Sequence, residues 1–451
     1  MDAAPSSDRV EARTRVAFWW VMGGIVAVGL AARLVFALAL APDLPLPGDA
    51  GVYREMAQHL VDGDGLSLGR PGDGVMEPTA EHPPLFPGVL AALDVLGLGS
   101  VQEQRVGLAI LSTAAVPLVG LVGRRVGGAT VGLLAGGVAA VHPFWIQPSG
   151  MVMSESLHLV VVSGVLLLCL RLLDSGSVMA VAGLGAAIGV AGLGRPESLG
   201  LLVVAALPAV WSARWIERGR LRQAGWLALG AVVVVAPWVA RNERVLGAPV
   251  LATNSGKTVL GSSCDDTYAG RALGGFSYDC FFGSATVLVQ FGPEGGGSWT
   301  GRTLDDEMGR IGRAYVRDHL DELPKVVAAR VVRMWGLAFA GDQLDFDVYE
   351  GRHRRLQRAG QWVHLALLPA AVGGAWILLR GRRRPAAIVL LGPVVLVTAA
   401  TVLVYGGSRM RSSAEASIAV LAAVGTAAAA RWIATRGGRG APGGGGSLSA
   451  T

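Results

Sequence analysis

Apolar runs of about twenty residues, repeated along the chain, constrain this sequence more than any other feature, because a helix of that length crosses a hydrocarbon core of roughly 30 Å. The composition agrees. Of 451 residues, 52% are hydrophobic and 16% charged, with a mean hydropathy of +0.49; an ordinary soluble domain carries roughly 25% charged residues. The net charge of +6 does not point to nucleic acid. Its basic residues sit in short clusters between apolar runs, where they set orientation in a membrane. The expected class is an all-α polytopic membrane protein that contacts membrane lipid and no nucleic acid.

Orientation follows from those clusters. Residues 1–16, with Arg9, Arg13 and Arg15, read as a cytoplasmic tail, so the first span (17–40) points outward. That apolar segment is too long for the core of a cleavable signal peptide and lacks a convincing cleavage site. A polar outer loop follows, and then 84–98, short and opened by Pro83 and Pro84. If 84–98 crossed the membrane, Arg124 and Arg125 would lie outside; read as a re-entrant or interfacial helix, it leaves them in the cytoplasm. Spans then follow at 105–123, 126–146, 156–173, 178–194, 198–212 and 225–240, with Arg214, Arg218, Arg220 and Arg222 inside. The segment 241–360 lies outside. It carries a Gly295-Gly296-Gly297 turn, an amphipathic helix at 304–320 and a helical stretch at 324–340 that lies on the membrane or dips into it. Spans at 361–379, 385–405 and 412–430 complete about ten, with both termini cytoplasmic. This divides the chain into a core at 17–240 containing the outer loop 42–98, an outer region at 241–360, last spans within 361–430, and a tail at 431–451. Within that tail 437–451 is low in complexity and expected to be disordered. No sequence repeat relates the two halves, which disfavours an inverted-repeat transporter.

Charged residues then gather on the outer side. Asp49 follows the first span, with Tyr53, Ala57 and Leu60 at helical spacing. This is a short surface helix with Asp49 at its start, where an aspartate also serves as an ordinary cap. Glu81 and His82 could share a proton or hold a divalent metal, or simply tip a polar loop. Glu155, at the edge of a span, is costly unless it faces protein or water. Arg195 and Glu197 stand at the next outer turn, as site residues or as an ion pair at the membrane edge. Lys257, Arg409 and Arg411 could meet phosphate oxygens or anchor the interface; Arg241 and Arg244 add further outer positive charge. Cys169 falls within a span. Cys264 and Cys280 share the outer region, where a disulfide and two free thiols are both open.

Several of these segments together resemble the GT-C membrane glycosyltransferases, nearest to the protein mannosyltransferase and aminoarabinose transferase-like group, family 39 of the glycosyltransferases. The first is GDAGVYREMAQHLVDGDGL followed by EHPPLFPGVLAAL. Next come HPFWIQPSGMVMSES, GRPES and APWVARNERVLGAPVLATNSGKTVLGSS, and the last is YGGSRMR. The resemblance spans about 15 to 415. It implies a bacterial enzyme of the cell membrane with its active site on the extracytoplasmic face. The enzyme would move a sugar from a polyprenyl-phosphate donor to a glycan, lipid or protein acceptor. Asp49 matches the family's acid in the first loop, the general base toward the acceptor hydroxyl, and Glu155 its acidic position in the second. Tyr53 and Arg54 would line the same pocket, and Glu81 and His82 stand where relatives place polar residues near acceptor or metal. Lys257, Arg409 and Arg411 would neutralise the departing lipid phosphate. Protein mannosyltransferases carry an Asp-Glu pair in the first loop, whereas here Ala50 follows Asp49, which argues against a protein acceptor. Sugar, acceptor and metal dependence stay open.

Two other classes compete. A lipid-linked saccharide transporter would share the basic sites but need polar groups at mid-membrane, where these spans show almost none. A non-catalytic envelope-assembly scaffold would keep the loop acids only as caps.

Overall fold

The computed structural model describes residues 7–437 except 47, 71, 73, 217–218 and 294–298. The expected Gly295-Gly296-Gly297 turn, Arg218, and all but the first residue of the 437–451 tail lie outside the described residues.

In chain order the helices are α1 (Ser7–Val35, prolonged by a π-turn at Phe36–Leu40), α2 (Gly48–Asp62), α3 (Leu85–Val95), α4 (Val101–Thr113), α5 (Ala115–Gly127), α6 (Ala129–Val141), α7 (Pro143–Gly150), α8 (Glu155–Leu172), α9 (Val178–Gly194), α10 (Leu207–Ser212) and α11 (Arg220–Leu246). The outer region holds α12 (Ser255–Gly261), α13 (Asp265–Tyr268), α14 (Tyr278–Phe291), α15 (Gly301–Asp318), α16 (Leu323–Met334) and α17 (Ala340–Tyr349). Then come α18 (Arg354–Arg380), α19 (Arg384–Leu403) and α20 (Ser412–Gly437). Between α2 and α3 an antiparallel hairpin pairs β1 (Ser67–Gly69) with β2 (Met76–Pro78), Leu68 opposite Glu77. The all-α reading missed this ribbon, because three-residue strands carry no periodic signal.

About ten spans were expected from charge alternation. By length and apolarity, seven helices among the described residues can cross a membrane, and eight if α6 and α7, bent by 45°, count as one. The shortfall is at Val178–Gly194 and Pro196–Ser212, which are apolar but short. Leu85–Val95 is also a short apolar helix.

Between apolar helices in lipid there is no hydrophobic drive to associate, so close backbone approach carries the packing. The sequence supplies glycines where helices meet. A methyl group on Gly185 of α9 would collide with the Leu227 carbonyl of α11, and one on Gly230 of α11 with the Ala182 carbonyl of α9. Gly374 of α18 and Gly425 of α20 meet the opposing backbones in the same way. Large side chains such as Trp20, Val233, Trp362, Val372 and Trp432 face outward instead, as lipid-facing positions should.

Polar side chains are nonetheless buried within the bundle. Arg33 is fully buried in α1, and its guanidinium donates to the carbonyls of Gly29 (3.0 Å), Ala139 (3.1 Å) and Ala140 (3.3 Å). His158 Nε2 lies 2.7 Å from Ser413 Oγ, and Gln147 donates to Gln357 at 3.1 Å. Most of these polar atoms find partners inside the protein, which favours burying them in a membrane; Arg33 Nε and His158 Nδ1 find none among the described residues.

The outer region has its own small core of Leu260, Trp299, Leu304 and Met308. Leu304, Met308 and Gly312 recur at the helical interval on the buried side of α15. Asp305 ties α15 to α12 by accepting from the backbone N–H groups of Gly256 (3.0 Å) and Lys257 (2.8 Å). Cys264 and Cys280 are joined by a disulfide with a Cα–Cα distance of 6.4 Å, which pins the first turn of α14; Cys169 is free and buried in α8. α16 lies against the end of α19, with Arg330 donating to the Val402 carbonyl at 2.9 Å.

Candidate active site

α2 carries the first site residue. Ala50, Tyr53 and Ala57 face inward at the helical interval and pack with Phe86 and Leu90 of α3. Leu60, expected on the same face, is 38% exposed. The inward face carries Asp49, in the first turn, toward the side of the bundle where α8 and α20 begin and α9 ends. Its Oδ2 accepts from Arg409 Nη2 at 2.8 Å, and its Oδ1 lies 4.0 Å from His82 Nε2. The start of a helix also favours a negative charge. Unlike its neighbours, the Asp49 side chain keeps 37% of its surface open.

Arg409 is the hub. It sits in the turn between α19 and α20 and is only 11% exposed. Besides Asp49 it donates from Nε to Glu155 Oε1 at 2.9 Å and from Nη1 to Glu350 Oε1 at 3.2 Å. One planar guanidinium thus meets carboxylates from the first loop, the fourth span and the outer region, which a lysine point charge could not do with fixed geometry. Arg195 also reaches Glu155 Oε1 at 3.1 Å and grips Glu197 at 2.6 Å. The Arg409 turn is itself held. Ser408 Oγ donates to Asp347, whose oxygens lie at 3.0 and 2.9 Å, and Gly406 N donates to the Gly274 carbonyl at 2.7 Å.

Around this hub the rings of Tyr53 and His82 lie 4.3 Å apart, tilted by 38°, with Phe86 edge-on to Tyr53 at 4.8 Å. Tyr53 donates to Ser154 Oγ at 3.2 Å, and Asn254 Nδ2 approaches His82 Nδ1 at 3.3 Å. Lys257 pairs with Glu81 at 2.7 Å. Arg241 anchors the base of the hairpin, donating to the carbonyls of Thr79 (2.7 Å) and Leu66 (2.8 Å).

The electrostatics separate the acids. Burial disfavours the charged form of Asp49, but the Arg409 guanidinium and His82 outweigh it and hold the carboxyl below the usual range. Burial pushes the Glu350 carboxyl up in spite of Arg409 and Arg352, as expected when one cation is shared among several anions. Burial also pushes His82 down in spite of Asp49 and Glu81, so its imidazole is neutral at physiological pH. The Tyr53 phenol is raised by burial and by the charges of Asp49 and Glu155.

The structure thus brings together Asp49, Tyr53, His82, Glu155, Arg195, Glu197 and Arg409, with Glu81 and Lys257 paired at the loop beside them. It sets two expected residues apart. Arg54 leaves the face of α2 that carries Asp49 and donates to Gln104 at 2.6 Å. Arg411 turns into the bundle, where it is 2% exposed, donates to Glu415 at 3.1 Å and to the Met334 carbonyl, and lies over the Phe144 ring. The metal reading of Glu81 and His82 does not fit the donors present. Lys257 engages Glu81, and no group of three or more His, Cys, Asp or Glu placed to hold a metal occurs among the described residues. The positive charge among the acids comes from Arg409. Sequence reasoning missed Glu350, Asp347 and Tyr278, the last of which donates to Glu350 at 3.2 Å. They lie outside the two helical stretches expected in the outer region, where no motif marks them.

Residues 81–240 match the dolichyl-phosphate-mannose-protein mannosyltransferase family. The chain matches none of the curated protein sequences with which it was compared. Among solved structures it is similar to the archaeal oligosaccharyltransferase AglB from Archaeoglobus fulgidus in complex with an inhibitory peptide and a dolichol-phosphate. The TM-score is 0.53 at 12% identity, over 96% of this chain and 53% of that one. The same oligosaccharyltransferase in complex with Zn and sulfate matches with a TM-score of 0.50 at 13% identity, over 92% and 50% of the two chains. ArnT from Cupriavidus metallidurans bound to undecaprenyl phosphate is aligned over 94% of this chain and 81% of that one, at 17% identity and a TM-score of 0.41. The chain spans about half the length of the oligosaccharyltransferase it matches. In fold the chain is thus similar to these membrane enzymes, and residues 81–240 match the mannosyltransferase family.

Proposed function

We propose that this chain is a glycosyltransferase that moves a monosaccharide from a polyprenyl-phosphate donor to an extracytoplasmic acceptor of the cell envelope, with Asp49 as general base. The observation that carries the reading is Asp49 itself, a carboxylate held in place by Arg409 yet still open on one side. An inverting transfer needs a base on the acceptor hydroxyl while the phosphate leaves from the opposite face of the sugar. The dolichol-phosphate in the similar oligosaccharyltransferase supports a lipid-phosphate donor here.

The roles divide by geometry. Arg409 orients Asp49 and keeps it ionised. Glu155 and Glu350 hold Arg409, and Arg195 with Glu197 holds Glu155. The packed rings of Tyr53 and His82 wall the pocket. The donor phosphate meets Lys257, which exchanges Glu81 for it, and Arg409, whose fork can turn toward phosphate oxygens. As phosphate draws Arg409 away, Asp49 loses its partner and becomes a stronger base when donor is bound. On this reading the site faces outward from the plasma membrane, with both termini inside.

The test is Asp49→Asn in membranes supplied with labelled polyprenyl-phosphate sugars. Loss of donor consumption with normal insertion supports the proposal; undiminished consumption refutes it.

A further inference from the structure

Resting on that transferase reading, we infer that the aromatic face around Tyr278 is the acceptor site, and that the acceptor it takes is a saccharide chain. Tyr278, at the start of α14, has Phe282 at 5.6 Å and Phe346 at 5.7 Å, with interplanar angles of 19° and 18°, and Tyr349 at 5.0 Å and 46°. Rings from two separate helices thus form a near-parallel column. Its outer members are open, Phe282 at 51% and Tyr349 at 65% exposure. They are not surplus core. The core of the outer region takes the neighbouring side of α14, where Phe281, Ala285, Leu288 and Val289 pack. A grouped aromatic surface left in the open marks a binding site more often than an accident.

The face is continuous with the catalytic cluster. The Tyr278 hydroxyl donates to Glu350 at 3.2 Å, Glu350 accepts from Arg409 at 3.2 Å, and Arg409 donates to Asp49 at 2.8 Å. A group resting on the rings is therefore joined to the base through one hydrogen bond and two ion pairs. The disulfide between Cys264 and Cys280 fixes the turn of α14 that carries Tyr278 and Phe282.

The chemistry selects the occupant. A pyranose or furanose ring has a C–H face that packs on aromatic rings and a rim of hydroxyls that needs hydrogen-bond partners. This surface offers both, since the exposed Asp279 and Asp345 and the half-buried Asp342 stand among the aromatic positions, with Arg271 at 3.6 Å from Asp342 and Arg354 at 2.8 Å from Asp345 as further hydrogen-bond donors. The same acids disfavour a bilayer, because anionic headgroups attract basic segments. Large flat rings on rigid helices also suit a ligand with few apolar side chains of its own, unlike a peptide, which asks for pockets or a strand edge.

The experiment uses the full chain in nanodiscs and saturation-transfer NMR. The probes are linear hexasaccharides of mannose, arabinose and galactose, together with a Ser/Thr-rich peptide. At least one hexasaccharide should bind through its ring protons. Its affinity should fall tenfold or more in the double variant Phe282→Ala, Tyr349→Ala and return to within threefold in Phe282→Trp. Three results would overturn the inference: no hexasaccharide binding, binding indifferent to both variants, or the peptide alone showing this dependence. Brominated-lipid quenching in Phe282→Trp that exceeds that of the unaltered protein and its 12 tryptophans would assign the face to the membrane and also overturn it. If the unaltered protein consumes no donor while the hexasaccharide binds as expected, the transferase reading fails and the saccharide site stands.

Discussion

Arg409 Nη2 and Asp49 Oδ2 meet at 2.8 Å although 360 positions separate them in sequence. The bond joins the first outer loop to the turn before the last span, and it places the one cation of the hub beside the most open of its acids. The consequences can be measured one at a time.

Asp49→Asn keeps the shape and removes the base. Turnover should fall by about 10²–10⁴-fold, the usual contribution of a positioned general base. Expression should hold and the thermal midpoint in detergent should fall far less than turnover, since the side chain is partly open. A stability loss as large as the activity loss would make Asp49 a structural residue instead.

Arg409→Ala leaves Glu155 and Glu350 buried without their shared cation. Breaking a buried pair from one side costs about 3–5 kcal/mol, so the aggregation temperature should drop sharply. Arg409→Lys keeps the charge but loses the fork and should fall between the two. Equal midpoints for Lys and Arg would mean that charge alone suffices.

For pH, the direction is the same for Asp49 and His82. Both are held below their ordinary values in the folded chain, so the folded state binds fewer protons than the unfolded one. The His82 contribution is present above the unfolded histidine range and is lost as pH falls below about 6.5. The Asp49 contribution is lost only as pH falls below the ordinary aspartate range, near 4. His82→Asn should therefore flatten the stability profile between about pH 6.5 and 5. An unchanged slope would place the titration elsewhere.

Reduction of the Cys264–Cys280 bridge releases a loop with a sequence separation of 16, worth about 3 kcal/mol in the chain-entropy account. The outer region should become the first part of the chain to exchange its amide protons. Cys264→Ser with Cys280→Ser should reproduce the effect without reductant.

Arg411 offers a control for Arg409. Because it faces Glu415 inside the bundle, Arg411→Met should destabilise, and adding Glu415→Met should recover much of the loss, as when apolar residues replace a buried pair together. Donor consumption should persist in the double variant. Its complete loss in a folded protein would return Arg411 to the phosphate.

The sequence made some of this legible. The apolar runs and the placement of arginines yield the long spans, and Asp49 stands out because few acids follow a span so closely. Tyr53 is legible by spacing, four residues on and one turn along the same face. The same geometry shows why Arg54 does not join it: a helix turns about 100° per residue. Arg411 departs from Arg409 for a similar reason, two residues on in a tight turn. Glu350 and Tyr278 were not legible. Each is a single residue in a helix of ordinary character, and its role comes from partners 59 and 72 positions away that only tertiary packing selects. The hairpin and the short span-like helices escaped because local periodicity is silent at those lengths.

The three acids on Arg409 come from the first loop, the start of α8 and the outer region, and all three precede Arg409 in sequence. During synthesis they are therefore made before the guanidinium that they share. Glu155 has Arg195 beside it from the earlier stretch of chain, whereas Asp49 gains its guanidinium only once the turn after α19 is in place.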